Sequence, residues 1–348
     1  VGIVNGGDLL NAMTAELRVV DPADVAAARR LAGSWARQHK FQPLQEHRVE
    51  LVATEMATNL VKYAAEGRFL VSLGSHRSAP VLDLLSLDSG PGMGDAETHL
   101  ADGSSTGSSL GGGLGAMARV SDAFDIHSER PGGTVVIARF ALEASSRPGP
   151  GPAGSTVGAV CRPHPSETVC GDAWAFEERD GRLMVLVADG LGHGPGAAEA
   201  SSLAVEVFRQ QSDLPAEEIV TAIHRELGAT RGAAVSVAEV RPDARVRFCG
   251  IGNVSGALAT ATGRREMVGD HGTAGHQARK IRSFEYLREP GALVILHSDG
   301  LSGRWDLRDH PSLAARHPLV VAGVLYRDHR RGRDDATVVV VAPGRGAS

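Results

Sequence analysis

The chain has 348 residues, enough for two or three domains, and 42% of them are apolar, so ordinary cores can form. A net charge of −5 argues against a general nucleic-acid binder. No apolar run approaches the roughly 18 residues of a membrane span, no basic-then-apolar leader opens the chain, and the three cysteines, Cys161, Cys170 and Cys249, make neither a disulfide framework nor a zinc motif, so a reducing cytoplasm is the expected compartment.

Residues 15–20 read as a short strand. Asp21-Pro22 then starts a helix, with the aspartate as cap and the proline in the first turn. A second helix runs from about Pro43 to Ala65, with Val49, Val52, Met56, Leu60 and Tyr63 on one stripe. Residues 69–73 and 81–87 read as strands. A Gly/Ser-rich loop from Gly90 to Gly113 follows, then a helix near 114–120. Two last strands, 123–128 and 134–140, flank the turn Arg130-Pro-Gly-Gly133. This order predicts helices layered on a mixed sheet. The Pro/Gly/Ser run 144–155 has nothing to bury and reads as a linker. The expected domains are therefore 1–143 and 156–348.

The second segment is rich in strands. Asp180-Gly181 is a two-residue hairpin turn, so Arg179 faces Arg182 and counting outward pairs Asp172 with Asp189. Cβ atoms paired this way lie about 4.5–5.5 Å apart, and like charges there repel. A divalent cation reverses the sign of that interaction. Another hairpin is predicted around 234–249, turning at Arg241-Pro-Asp243, and amphipathic helices at 197–211 and 216–227. Asp299 ends the apolar run 294–298, and Asp334-Asp335 precede the run 336–341. Strand-end carboxylates from distant parts of the chain suit two hard cations such as Mg²⁺ or Mn²⁺ in a hydrolytic centre. Structural calcium is the alternative reading of the same residues.

In the first segment, Glu55 and Asn59 lie four residues apart, hence on one side of a helix. Asparagine suits a magnesium ion held partly by substrate phosphates, and glutamate suits a general base. Asp88-Ser-Gly-Pro-Gly92 follows a strand, where an aspartate can accept from an exocyclic base amine and glycines let a ligand approach the backbone. The glycines from 107 to 115 lead into a helix, whose bare amides form an anion site.

Taken in order, Glu55-x-x-x-Asn59, Asp88-x-Gly-x-Gly92 and Gly111-x-Gly-x-Gly115 resemble the boxes of the GHKL ATPase superfamily, and in particular its anti-sigma and switch-type serine/threonine kinases. The resemblance covers most of residues 15–142 and implies an α/β sandwich that binds Mg-ATP. It implies Glu55 as base, Asn59 on Mg²⁺, Asp88 on adenine, and Gly90, Gly92, Gly113, Gly115 and Thr134 in the pocket. Val187-Ala-Asp-Gly-Leu-Gly-His-Gly194, Ser298-Asp-Gly300 and Arg333-Asp-Asp-Ala-Thr-Val338 resemble the SpoIIE/RsbX branch of the PP2C-type phosphatases. That likeness, over residues 156–342, implies a β-sandwich flanked by helices. It implies that Asp189 bridges two Mn²⁺ or Mg²⁺ ions, with the Gly190 carbonyl, Asp172, Asp299 and Asp334 completing the set; Asp335 is the alternative to Asp334. The phosphate-gripping arginine of eukaryotic relatives has Arg162 as its one candidate, and His193 is either a water- or substrate-orienting residue or a structural one.

The combined expectation is a bifunctional regulator in a bacterial partner-switching pathway, with an α/β, two-domain architecture. A Ser/Thr kinase module and a phosphoserine/phosphothreonine phosphatase would act on a STAS-domain protein, either an anti-sigma-factor antagonist or a stressosome scaffold. A sigma factor is a further candidate partner. The alternative is a nucleotide-gated binding module that regulates the fused phosphatase without kinase activity.

Overall fold

The computed structural model describes residues 14–76, 79–94, 110–142, 156–342 and 344. The described residues form two compact units, one on each side of the segment between 142 and 156. The expected linker and residues 95–109 of the Gly/Ser loop lie outside the described residues.

The first unit runs β1 (Ala15–Arg18), α1 (Pro22–Gln38), α2 (Pro43–Tyr63), β2 (Arg68–His76), β3 (Ala79–Asp88), α3 (Leu110–Val120), β4 (Ala123–Glu129) and β5 (Gly133–Ala141). Asp21 caps α1 by accepting from the Ala23 amide, and Asp24 reaches back to the Asp21 amide, which satisfies two donors that the helix start leaves open. Val49, Val52, Ala53, Met56, Ala57 and Leu60 make the buried stripe of α2. Tyr63, expected on that stripe, is 44% exposed.

The sheet has the order β1-β2-β3-β5-β4. Every neighbouring pair is antiparallel, which corrects the mixed sheet expected from the sequence. The reason is topological. Two helices, not one, separate β1 from β2, so the chain returns in the opposite sense. The single β-α-β unit, β3-α3-β4, places its two strands on either side of β5 instead of side by side. A second correction concerns α3. It begins at Leu110, so Gly113 as well as Gly115 lies inside the helix and not in the preceding loop.

Asp83 and Arg139 face each other across the central strands β3 and β5. Both are buried, and the guanidinium donates in bidentate fashion, at 2.7 Å to Oδ1 and 2.9 Å to Oδ2. Planar pairing of this kind satisfies both ions in a site that neither occupies alone.

The second unit contains β6 (Thr156–Arg162), β7 (Asp172–Arg179), β8 (Arg182–Gly190), α4 (Pro195–Gln210), α5 (Ala216–Glu226), β9 (Ala233–Val240), β10 (Arg245–Ile251), β11 (Ser255–Thr260), β12 (Gly263–Met267), the two-residue strands β13 (Gly272–Thr273) and β14 (Gln277–Ala278), β15 (Ser283–Leu287), β16 (Leu293–His297), α6 (Pro318–His329) and β17 (Ala336–Ala342). Two five-stranded antiparallel sheets, β15-β10-β9-β8-β7 and β12-β11-β16-β17-β6, make a sandwich. Leu183, Val185, Val187, Phe248, Leu296 and Val339 fill the space between the sheets. The outer face of the first sheet is covered by α4 and α5 through Leu186, Phe208, Ile219 and Ile223. Helix α6 packs against β6 and β17.

Asp180 and Gly181 both adopt positive φ, 52° and 74°, as a primed two-residue turn requires. The register follows: Arg179 opposes Arg182 and Asp172 opposes Asp189.

Replacing one member of the buried pair takes the bidentate partner from the other ion. Asp83→Ala or Arg139→Ala should therefore destabilise the first unit by about 3–5 kcal/mol, whereas a double replacement by apolar residues of similar volume should recover most of the loss. Urea unfolding of the full chain, followed by circular dichroism, measures both.

Candidate functional site

The acidic cluster is built at the strand ends of the sandwich. The open end of the β7–β8 hairpin delivers Asp172 and Asp189. In the other sheet, β16 ends just before Ser298-Asp299, and β17 begins just after Asp334-Asp335. Strands β16 and β17 pair through His297 and Val338, and β17 pairs with β6 through Ala336 and Arg162. One side chain ties the two sheets together here. Ser298 Oγ donates to Asp172 Oδ2 at 2.7 Å and accepts from the Thr337 amide at 3.0 Å.

Each carboxylate has different surroundings. Asp172 is 1% exposed. Burial pushes its pKa up to about 7, against the Ser298 hydrogen bond, with the charges of Asp335 and Asp334 adding to the rise. Burial also pushes Asp189 up to about 9, reinforced by the charges of Asp172, Asp299, Asp334 and Asp335. Asp299 Oδ2 accepts from Asn253 Nδ2 at 2.6 Å. Asp335 is buried; its Oδ1 accepts from the His164 amide at 2.8 Å, and its Oδ2 has no hydrogen-bond partner among the described residues. Asp334 is half-buried and its Oδ1 accepts from the Asp335 amide at 3.0 Å. Among the described residues, no three of these carboxylates bring oxygens within 4.8 Å of one another. A set of hard oxygen donors with mutual repulsion and one buried orphan oxygen fits divalent cations of the Mg²⁺ or Mn²⁺ type.

His193, in the loop after Asp189-Gly190, contacts Glu167 Oε1 through Nδ1 at 2.8 Å. Its ring stacks on His164 with centroids 4.4 Å apart. The histidine that anchors Asp335 through its backbone thus supports His193 through its ring. Arg162 ends β6, opposite Ala336 and next to the Asp334-Asp335 pair in the register. Sequence reasoning missed Asn253, Ser298, Glu167 and His164. Ser298 had a signal, its place beside Asp299; Asn253 had a weaker one, its place between Gly252 and the next strand.

In the first unit, a cavity of about 380 Å³ opens between α2, α3 and the sheet. Asn59, Asp88, Gly92 and Thr134 line it together with Met56, Met117 and Lys62. The Asp88 carboxylate accepts from the Gly90 amide at 2.7 Å, which holds the turn under the cavity. Gly92 has φ 69°, and an added Cβ would stand 1.9 Å from the Glu129 carbonyl oxygen, so only glycine lets this turn lie against the β4–β5 hairpin. Glu55 and Gly113 line a neighbouring cavity instead, and Gly115 lines neither.

The comparisons match this division. The profile of the histidine kinase-like ATPase domain covers residues 19–140, and that of stage II sporulation protein E (SpoIIE) covers residues 179–343. Serine/threonine-protein kinase RsbT of Bacillus subtilis is 30% identical over 120 residues, 34% of this chain and 90% of that protein. The chain joins a histidine kinase-like ATPase domain of the RsbT family to a SpoIIE domain of the PP2C phosphatase class. Phosphoserine phosphatase RsbX of Bacillus subtilis is 27% identical over 146 residues, 41% of this chain and 73% of that protein. A solved structure from work on the bacterial stressosome, as a modular system adapted to control secondary messenger signaling, has 27% identity and a TM-score of 0.50, covering 54% of this chain and 99% of its own. The SpoIIE domain is thus a metal-dependent phosphatase domain, of a class that uses Mg²⁺ or Mn²⁺. Asp172 falls outside the matched residues, and the hairpin register alone puts it opposite Asp189. No described helix is long and apolar enough to cross a membrane.

Because the fold disfavours charge on Asp189, Asp189→Asn should raise the melting temperature of the chelator-treated protein near pH 7.5, and should abolish the further rise that Mn²⁺ produces in the unsubstituted chain. Differential scanning fluorimetry with EDTA and with Mn²⁺ reads both effects.

Proposed function

We propose that the chain is a two-headed regulator of a partner-switching pathway: a Mg-ATP-dependent Ser/Thr kinase domain and a Mn²⁺- or Mg²⁺-dependent phosphoserine/phosphothreonine phosphatase domain, directed at the same STAS-domain protein in the bacterial cytoplasm. The observation that carries the reading is the convergence of Asp172, Asp189, Asp299, Asp334 and Asp335 at one end of the sandwich. Likeness to RsbT and RsbX over separate parts of the chain supports the pairing of opposed activities.

In this reading Asp189, the Gly190 carbonyl, Asp172, Asp299 and Asp334 would hold two cations, with Asp189 shared between them. Cations held there would neutralise the phosphate and activate water for in-line attack. The chain's own residues prepare the place. Ser298 orients Asp172, Asn253 orients Asp299, and Asp335, held by the His164 amide, keeps the β6 and β17 ends together. Asp334 is the ligand that the family likeness favours, and Asp335, whose Oδ2 has no hydrogen-bond partner among the described residues, is its alternative.

In the ATPase domain, Asn59 would hold Mg²⁺, Asp88 would read the adenine amine, and Gly90, Gly92 and Thr134 would face the nucleotide. Gly113 and Gly115, within α3, would bring its first turns close to the phosphates. Glu55 would be the general base.

Mn²⁺-dependent hydrolysis of a phosphoserine protein should vanish in Asp189→Ala; retained hydrolysis refutes the cation assignment. Asn253→Ala should weaken Mn²⁺ activation about 10–100-fold, the usual cost of losing a group that orients a ligand. In the other direction, the full chain with Mg-ATP should phosphorylate a STAS-domain protein of the same genome. Glu55→Ala should stop transfer and leave ATP affinity within about twofold, as expected for a general base. Unchanged function in Glu55→Ala would mark the domain as a nucleotide-gated binding module.

A further inference from the structure

The sequence points to Arg162 as the arginine that meets a phosphorylated substrate, but Arg162 is engaged by neighbours of its own. Another arginine stands at the rim of the phosphatase site. Arg231 precedes Gly232, whose carbonyl accepts from the Leu191 amide at 3.0 Å. Its side chain lies on the loop that follows Asp189-Gly190. An added Cβ on Gly196, in the first turn of α4, would stand 2.6 Å from Arg231 Nε and 2.7 Å from Cζ. One on Gly192 would stand 3.5 Å from Nη1. The guanidinium thus rests on a pair of glycines, and a side chain at 196 would displace it. Gly190 is one contact further on: an added Cβ there would stand 2.1 Å from the carbonyl oxygen of Ala197, the neighbour of Gly196.

Arg231 is exposed, and it makes no hydrogen bond or ion pair among the described residues. Glu167, the acid that touches the same loop at Gly194, is engaged with His193. Asp172, Asp189, Asp299, Asp334 and Asp335 leave the guanidinium unpaired as well, although it sits on the loop that follows Asp189. A cation that reaches none of these carboxylates is set back from a phosphate seated among them. It is placed for a group further along the substrate, and an extended peptide covers about 3.3–3.6 Å per residue. The β13–β14 hairpin adds to the positive charge on this side. His276 Cδ2 would stand 2.8 Å from a Cβ on Gly232, and the exposed Arg279 and Lys280 follow β14.

We infer that Arg231 determines which substrates the phosphatase domain takes: it pairs with an acidic side chain carried a residue or two from the phosphoserine or phosphothreonine. The inference rests on the phosphatase reading above and names the substrate class within it, a phosphorylated segment with an acidic flank. Gly192 and Gly196 act through Arg231 as positioning residues, because their missing Cβ atoms let the guanidinium lie on the loop. A charge-assisted, bidentate pair with a carboxylate is the interaction that this geometry offers.

The test uses the full chain with Mn²⁺ and three phosphoserine peptides, which carry glutamate, glutamine or lysine two residues from the phosphoserine on both sides. p-Nitrophenyl phosphate, which has no flank, is the control substrate. The unsubstituted chain should show a KM about fivefold to tenfold lower for the glutamate peptide than for the glutamine peptide, and the highest KM for the lysine peptide. Arg231→Ala should remove the preference, and Arg231→Glu should reverse its order. Gly196→Ala keeps the charge and improves the helix, yet should raise KM for the glutamate peptide by displacing the guanidinium. Hydrolysis of p-nitrophenyl phosphate should stay within about twofold in all three variants. Equal KM for the three peptides in the unsubstituted chain, or an unaltered order in Arg231→Glu, overturns the inference and leaves the phosphatase reading intact. A higher KM for p-nitrophenyl phosphate together with weaker inhibition by inorganic phosphate in Arg231→Ala would show that the guanidinium grips the phosphate itself, which also overturns it. No Mn²⁺-dependent hydrolysis of any of these substrates overturns the phosphatase reading, and the inference with it.

Discussion

The repulsion between Asp172 and Asp189 is the constraint around which the SpoIIE domain is organised. Antiparallel pairing sets these carboxylates opposite each other at the open end of one hairpin. Three more acidic residues approach from the strand ends of the facing sheet. A fold gains nothing in stability from such a gathering, and burial of Asp172 and Asp189 makes it worse, as the upward displacement of both pKa values shows. The scaffold carries the strain because the sheets are held by apolar residues throughout, from Leu183 and Val187 to Leu296 and Val339. Polar ties also join the sheets at the site. Ser298 joins the two sheets through Asp172, and Asp335 joins β6 to β17 through the His164 amide.

The two domains meet different physical demands. The ATPase cleft is walled by apolar groups with polar ones spaced along it, namely Asn59, Lys62, Ser86, Asp88, Arg130 and Thr134. The phosphatase site concentrates like charge instead. In the proposed function, placing both on one chain would keep a partner bound by one domain at high effective concentration for the other. In the proposed reading that matters because the two reactions oppose each other on one substrate, so the balance between them is set within a single molecule.

Much of the architecture was legible locally. The Asp-Gly turn specified the hairpin, and the hairpin specified which aspartates would face each other. The cap at Asp21, the stripe along α2 and the strand runs ending at Asp299 and beginning at Ala336 were equally direct. Other features depended on topology. The wholly antiparallel sheet of the first unit follows from two consecutive helices and from β5 lying between β3 and β4, which no single segment encodes. The start of α3 at Leu110 was hidden by glycines, whose low helix propensity reads as loop. The partners of the acidic residues were hidden by distance along the chain: Asn253 reaches Asp299 across 46 residues, and Ser298 reaches Asp172 across 126.

Periodicity, turn chemistry and acidic strand ends determined, without any coordinates, that this chain makes two α/β units and that one of them carries carboxylates in opposition. Those are short-range properties, written in neighbouring side chains. Which groups steady each carboxylate, why Asp334 and its neighbour differ, and the separation of Glu55 from the cleft that holds Asn59 were decided only when distant segments packed. Side-chain contacts across sheets and between helices depend on the geometry of the whole core, and no local spacing contains it.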